Sequence, residues 1–251
     1  MPGYPKLFEP ETGLEEPRGP REAQGTLVLW PMIIDLHTHT FFSDGLLIPS
    51  ELVQRVGAAG YRAIAITDHA DSSNLDHLIP RMVLLAEDLN RTQSVTVIPG
   101  VELTHVPPEL IGSLVKKARD LGARLVVIHG ETIVEPVPKG TNRAGLDAEA
   151  DIIAHPGLLS IEEARLAAQK GIFLEITARK GHSLTNGHVA RLAVEADASL
   201  VLNSDGHAPG DFLSEALAPK IVQGAGLPPD AFDTLQRNAR LLLHRLGYPL
   251  S

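Results

Sequence analysis

Six of the chain's eleven histidines follow short apolar runs, and so do most of its candidate ligand carboxylates. Ile33-Ile34 leads into Asp35-Leu36-His37-Thr38-His39, and Ala63 to Ile66 into Thr67-Asp68-His69. Val95 to Ile98 leads into Pro99-Gly100-Val101-Glu102, and Leu125 to Ile128 into His129. Ile152 to Ala154 precedes His155-Pro156-Gly157, Ile172 to Leu174 precedes Arg179-Lys180, and Leu200 to Leu202 precedes Asn203-Ser204-Asp205-Gly206-His207. Imidazole with carboxylate is the donor set of Zn, Mn or Fe. His37 and His39 are two apart, so on a strand both rings face one side and can hold one ion. Histidines unrelated to a site would scatter over helices and loops. His77 and His244 read that way, and His105 is left undecided.

The elements that must position these residues repeat one rhythm. Each apolar run reads as a buried parallel strand and is followed by an amphipathic stretch. Leu110, Ile111, Leu114, Val115, Ala118 and Leu121 recur at helical spacing, as do Val189, Leu192, Ala193 and Ala196. Ser160-Ile161-Glu162-Glu163 is a capping box, and Gly60, Gly122 and Gly171 mark helix ends. About seven strand–helix repeats give a parallel α/β fold, as a closed barrel or an open doubly wound sheet. The dinucleotide and P-loop glycine motifs are missing. In a barrel, every strand end named above lies on the C-terminal face, where active sites form. Residues 31–251 read as one barrel domain, closed by a helix over Ala231 to Leu246. Residues 1–30, rich in Pro, Gly and Glu, read as an N-terminal extension, partly disordered, with a weak strand at Thr26 to Trp30.

With 251 residues the chain suits a single barrel, and its net charge is −9. That balance disfavours long nucleic acid as a partner. There is no cysteine, so thiolate ligands and disulfides are excluded. Neither a signal peptide nor a membrane span is legible, and a cytoplasmic location without membrane partners is expected. Oligomer formation is left open.

The motifs Asp35-Leu36-His37-Thr38-His39-Thr40, Ser43-Asp44-Gly45 and Thr67-Asp68-His69 resemble the opening of the PHP (polymerase and histidinol phosphatase) superfamily. Gly100-Val101-Glu102, Ile128-His129-Gly130, Ala154-His155-Pro156 and Ser204-Asp205-Gly206-His207 are similar to its later motifs, in the same order. The resemblance spans about Ile33 to His207. It implies a distorted, TIM-like (β/α)7 barrel with two or three divalent ions, Zn, Mn or Fe. Carried over, His37, His39, Glu102 and Asp205 hold a first ion, and Glu102 bridges to a second held by His129 and His155. Asp44, His69 and His207 hold a third, although some members have a histidine near the place of Asp44. Asp35 and Asp68 are expected to orient ligand histidines from behind.

Such a site would stay positive within an acidic protein, which favours a small phosphorylated substrate. The implied reaction is phosphate-ester hydrolysis by a metal-activated bridging water, with no protein nucleophile. Asp205 and His207 belong to this catalytic set. Arg179 is expected to grip a phosphate oxygen, and His182, Lys180 or Asn186 to reach the substrate or protonate the leaving group. Thr185-Asn186 reads equally as a helix cap. Glu131 to Arg143 reads as a loop over the same face. A histidinol-phosphatase-like monoesterase is the leading expectation. A phosphodiesterase or nuclease acting on nucleotides or DNA ends, and a non-catalytic metal-binding module, are the alternatives.

Overall fold

A computed structural model describes residues 33–250. The expected N-terminal extension and the strand at Thr26 to Trp30 lie outside the described residues. The strands are β1 (Ile33–Asp35), β2 (Tyr61–Ile66), β3 (His69–Ala70), β4 (Thr96–Leu103), β5 (Leu125–His129), β6 (Ile152–Ala154), β7 (Phe173–Thr177) and β8 (Leu200–Asn203). The helices are α1 (Pro49–Ala58), α2 (Leu75–Thr92), α3 (Pro108–Asp120), α4 (Thr141–Asp147), α5 (Ile161–Lys170), α6 (Asn186–Ala196), α7 (Ala218–Gly224) and α8 (Ala231–Arg245).

All strand pairs are parallel, in the order β1-β2-β4-β5-β6-β7-β8. The dipeptide strand β3 pairs with the outer half of the long β4, setting His69 opposite Glu102. Just past the ends of the first and last strands, Thr38 and Gly206 form an isolated parallel bridge, so the sheet forms a nearly closed barrel. Side chains finish this seam. The Asn203 amide oxygen accepts the Leu36 N–H at 2.8 Å, and Gln236 from α8 accepts the Ile34 N–H at 2.8 Å. Both satisfy donors in β1 or just past its end that the sheet leaves open.

Strand parity divides the core in two. Ile64, Ile66, Val101 and Val126 face the surrounding helices. Ile34, Ala63, Ala65, Ile98, Leu125, Val127, Phe173 and Val201 face inward. Ala239, Leu242 and Leu243 of α8 join this interior cluster, each burial contributing roughly 1–3 kcal/mol. The inward rows then turn polar toward the C-terminal ends. Ile98 leads to Gly100 and Glu102, Val127 to His129, Phe173 to Glu175, and Val201 to Asn203 and Asp205. The fold thus packs an apolar base beneath a polar rim.

Local signals hold. Ser160 accepts the Glu163 N–H while the Glu163 carboxylate accepts the Ser160 N–H. Gly60, Gly122 and Gly171 take positive φ. Among the described residues, no helix is long and apolar enough to cross a membrane.

Candidate metal centre

The sequence-predicted residues His37, His39, Asp44, His69, Glu102, His129, His155, Asp205 and His207 come together above the barrel's apolar interior. Glu102 stands at the middle, fully buried on β4. Its Oε1 lies 3.3 Å from His37 Nε2, 3.2 Å from His129 Nδ1 and 3.6 Å from His155 Nε2. Its Oε2 lies 2.6 Å from His69 Nδ1 and 3.7 Å from His39 Nε2. Asp205 is 3.3 Å from His39 Nε2 and 3.6 Å from His155 Nε2. Asp44, whose side chain is 57% exposed, caps the outer edge at 3.1 Å from His207 and 3.4 Å from His69.

Tight local turns bring these strand ends into contact. A side chain on Gly130 would lie 2.2 Å from the Ala154 carbonyl oxygen, and one on Gly157 1.8 Å from that of Glu131. Gly157 also needs its φ of +63°. These close approaches set His129 and His155 edge to face, with ring centroids 4.5 Å apart.

The donor chemistry fits divalent cations. His37 Nε2, both ring nitrogens of His39 and of His129, and Glu102 Oε1 are buried without a hydrogen-bond partner. Orphaned buried polar atoms cost about 1–3 kcal/mol each, and a cation would satisfy several at once. Ligand-capable groups form around His37-His39-Glu102, His37-His155-Asp205, His69-Glu102-His129 and His39-Asp44-His69-His207.

Electrostatics in the metal-free protein point the same way. Burial pushes His39 well below its usual value, helped by the neighbouring His69, and burial beside His129 does the same to His155. Both rings are therefore neutral, with lone pairs free to ligate. Burial opposes the charge on His69, but Glu102 and Asp44 outweigh it and raise the ring to about 10. For His37, Glu175 and Glu102 overcome burial and raise it well above normal. Burial lifts Asp205 to about 7. A cluster of excess protons around two buried carboxylates is what bound cations would replace.

The roles expected for Asp35 and Asp68 do not match their contacts. Asp35 Oδ1 accepts the backbone N–H groups of His37 and Ser204. Asp68 accepts from the Thr40 N–H, the Thr40 hydroxyl and the Ser43 hydroxyl. Each braces a loop rather than a ring, because each stands beside the backbone of the crossing from β1. The carboxylate behind a ring is Glu175, which sequence reasoning did not single out. It accepts from His37 Nδ1 and Asn203 Nδ2, both at 2.8 Å, and from the His155 N–H at 3.0 Å. Its signal was its parity with Phe173 inside a buried strand.

The cluster floors a cavity of about 260 Å³, whose walls include Thr104, His105, Glu135, Arg179 and His182. Arg179 reaches it while bonded to Asp211 at 3.3 Å. His182 Nδ1 pairs with the Thr132 hydroxyl at 2.7 Å. Lys180 is exposed and does not line the cavity. Asn186 bonds the Thr177 backbone through both amide atoms and does not line the cavity. Thr185 takes the cap position of α6 without a side-chain cap bond. The loop expected over Glu131 to Arg143 is shorter, since α4 begins at Thr141. Glu131 accepts the Gly140 and Asn142 N–H groups and cinches its base.

The PHP domain model matches residues 35–128. An uncharacterised protein of Methanocaldococcus jannaschii is 48% identical over 86% of this chain and 100% of its own length. A probable phosphatase of Shewanella halifaxensis is 30% identical over 78% of this chain and 86% of its own. The 5'-3' exoribonuclease Rnm of Escherichia coli is 31% identical over 66% of this chain, which spans 50% of it. A chain of archaeal ribonuclease P with mature tRNA shares the fold at a TM-score of 0.65 and 15% identity, covering 85% of this chain and 91% of that one. Histidinol phosphate phosphatase from Lactococcus lactis, complexed with Zn, L-histidinol and phosphate, does so at 0.54 and 18%, covering 78% and 94%.

Proposed function

The chain belongs to the PHP domain family, and from that premise we propose that it is a phosphomonoesterase acting on a small phosphorylated metabolite, of the histidinol-phosphatase type. Metal-dependent phosphoester hydrolysis is the family's chemistry. The observation that carries the monoester reading is the cavity. It is about 260 Å³, floored by the buried ligand cluster and walled by Arg179 and His182, so it suits a terminal phosphate with a compact leaving group.

His37, His39, Glu102 and Asp205 would hold one divalent ion. Glu102, His129 and His155 would hold a second, and Asp44, His69 and His207 a third. Such ions would supply Lewis acidity, activating a water and neutralising charge on the phosphoryl oxygens. The protein's own groups orient and hydrogen-bond. Arg179, steadied by Asp211, offers its remaining N–H groups to a non-bridging oxygen. His182 faces the cavity through Nε2 while Thr132 fixes Nδ1, which leaves Nε2 to reach the leaving oxygen; burial holds the ring below its usual pKa, so it acts there as a neutral hydrogen-bonding group. Glu175 holds His37 so that Nε2 faces Glu102.

Phosphate release from a panel of monoesters and of linear and cyclic diesters tests this, after metal stripping and reloading with Zn, Mn or Fe. Monoester turnover that needs metal and disappears in His37→Ala and Glu102→Ala is expected. Preferential turnover of diesters or of oligonucleotide ends would replace the monoesterase reading by a nuclease one. Metal binding without turnover of any ester would leave a binding module.

A further inference from the structure

The cavity mouth gathers a second set of ligand-type side chains, which the nine residues above do not account for. Glu135, on the loop between β5 and α4, places Oε2 3.2 Å from His105 Nε2 and 3.0 Å from His129 Nε2. Its Oε1 lies 3.4 Å from His182 Nε2. His105 follows β4, and its ring centroid is 4.9 Å from that of His129.

His129 is the informative residue. It is 3% exposed and turns its two nitrogens to opposite sides. Nδ1 faces Glu102 at 3.2 Å, and Nε2 faces Glu135. Neither has a hydrogen-bond partner, so the Glu135 oxygen is near Nε2 but outside the line in which an N–H would donate. Glu135 Oε2 is thus hydrogen-bonded to His105 Nε2 but not to His129 Nε2, and a buried ring nitrogen beside a carboxylate it does not bond still lacks a partner. One ligand atom from each of His105, His129 and Glu135 lies within 4.8 Å of the others, close enough for all three to share a cation about 2.0–2.1 Å from each.

We propose that His105, Glu135 and Nε2 of His129 form an outer divalent-cation site at the cavity mouth, with His182 beside its open coordination positions. Two imidazoles and a carboxylate suit a late first-row cation such as Zn or Co. The site goes beyond the centre proposed above and depends on it only through His129. A neutral imidazole offers one lone pair, so an outer ion contends with the ion at Glu102 for this ring. The outer ion is therefore the most weakly held and the first to exchange. While bound, it fastens the β5–α4 loop to the segment after β4 and adds positive charge where an anionic substrate enters.

The test uses the full chain stripped of metal and titrated with Co(II), read by d–d absorption, with Zn content measured after equilibrium dialysis. The chains compared are wild type, Glu135→Ala, His105→Ala and His37→Ala. Glu135 and His105 are partly exposed, so both variants fold, as circular dichroism verifies. The weakest binding step of wild type is expected to weaken at least about tenfold in both outer variants, with the stronger steps intact. His37→Ala should keep that weakest step and lose a strong one. Isotherms of Glu135→Ala and His105→Ala that superimpose on wild type overturn the outer site, whatever His37→Ala does. A wild type with only the step these two variants remove upholds the outer site and sinks the inner centre instead.

Discussion

Replacing Glu175 by Gln changes one oxygen for one amide group at the back of the proposed metal centre. The carboxylate has two oxygens and three donors: His37 Nδ1 and Asn203 Nδ2 on Oε1, and the His155 N–H on Oε2. Glutamine has one acceptor oxygen. If that oxygen serves His37 and Asn203, its NH2 group faces the His155 N–H, donor against donor. Glu175 is fully buried, so one stranded backbone donor costs about 1–3 kcal/mol. The charge behind His37 also disappears, and with it the largest interaction favouring a charged ring. Carboxylate partners of ligand histidines are typically worth about 10–100-fold in metal affinity or activity, or roughly 1.4–2.7 kcal/mol. We therefore expect Glu175→Gln to unfold at lower denaturant when metal-free and to lose the ion at His37 about 10–100-fold more readily to a competing chelator. Glu175→Asp, which keeps the charge, should recover part of the metal affinity. Unchanged chelator competition in Glu175→Gln would refute the assignment of Glu175 to His37.

Three shorter predictions follow from other contacts. Gly157→Ala puts a methyl against the Glu131 carbonyl at positive φ. A cost of about 3 kcal/mol, or a Tm lower by roughly 6–12 °C, is expected in calorimetry. Arg179→Ala should lower turnover about 10²-fold while leaving bound metal per chain unchanged in elemental analysis, since its bond is to Asp211 and not to the cluster. Asp35 is raised from 3.8 to about 6 by burial. A raised carboxyl loses stability as pH climbs from the unfolded to the folded pKa, here about 3 kcal/mol between pH 4 and 6. Asp35→Asn keeps an acceptor for the His37 and Ser204 N–H groups, so metal-free Asp35→Asn should gain on wild type at about pH 7 in urea unfolding and lose that advantage below about pH 4.

The strand-end motifs were legible because a buried parallel strand writes its apolar face into the sequence without interruption. Ile33-Ile34, Leu125 to Ile128 and Leu200 to Leu202 each begin where the observed strands begin. The convergence of eight of the nine ligand-type residues follows from that alternation, since parallel strands must end on one face; Asp44, in the loop after β1, was legible only through the family resemblance. Residues that act from behind were harder to read. Glu175 sits inside an apolar run, where only its shared parity with Phe173 marks it as inward. Glu135 and Thr132 lie in a loop with no period, and their reach across the cavity depends on where Glu131 and Asn142 anchor it. Asp35 and Asp68 flank ligand histidines in sequence, which suggested side-chain contact, yet both spend their oxygens mainly on loop donors. Sequence adjacency places a residue beside a neighbour's backbone, not behind its ring.

Two of the converging residues pass through unusual backbone. His155 has φ of +26° and Asp205 of +52°, each just past the end of its strand. An ordinary extended residue there would continue the strand parity. After Ala154 faces inward, the next side chain would point toward the helices, whereas Asp205 already shares the inward parity of Val201 and Asn203. The positive φ turns the His155 side chain back over the barrel axis. Strain of about 1–3 kcal/mol at each persists because the surroundings fix the bends: Glu175 holds the His155 N–H, and the His39 N–H is bonded to the Gly206 carbonyl beside Asp205. The bend at His155 explains how a strand of only three residues brings its ring to the Glu102 carboxylate carried by the eight-residue β4. The barrel supplies convergence, and local strain supplies the last few ångströms.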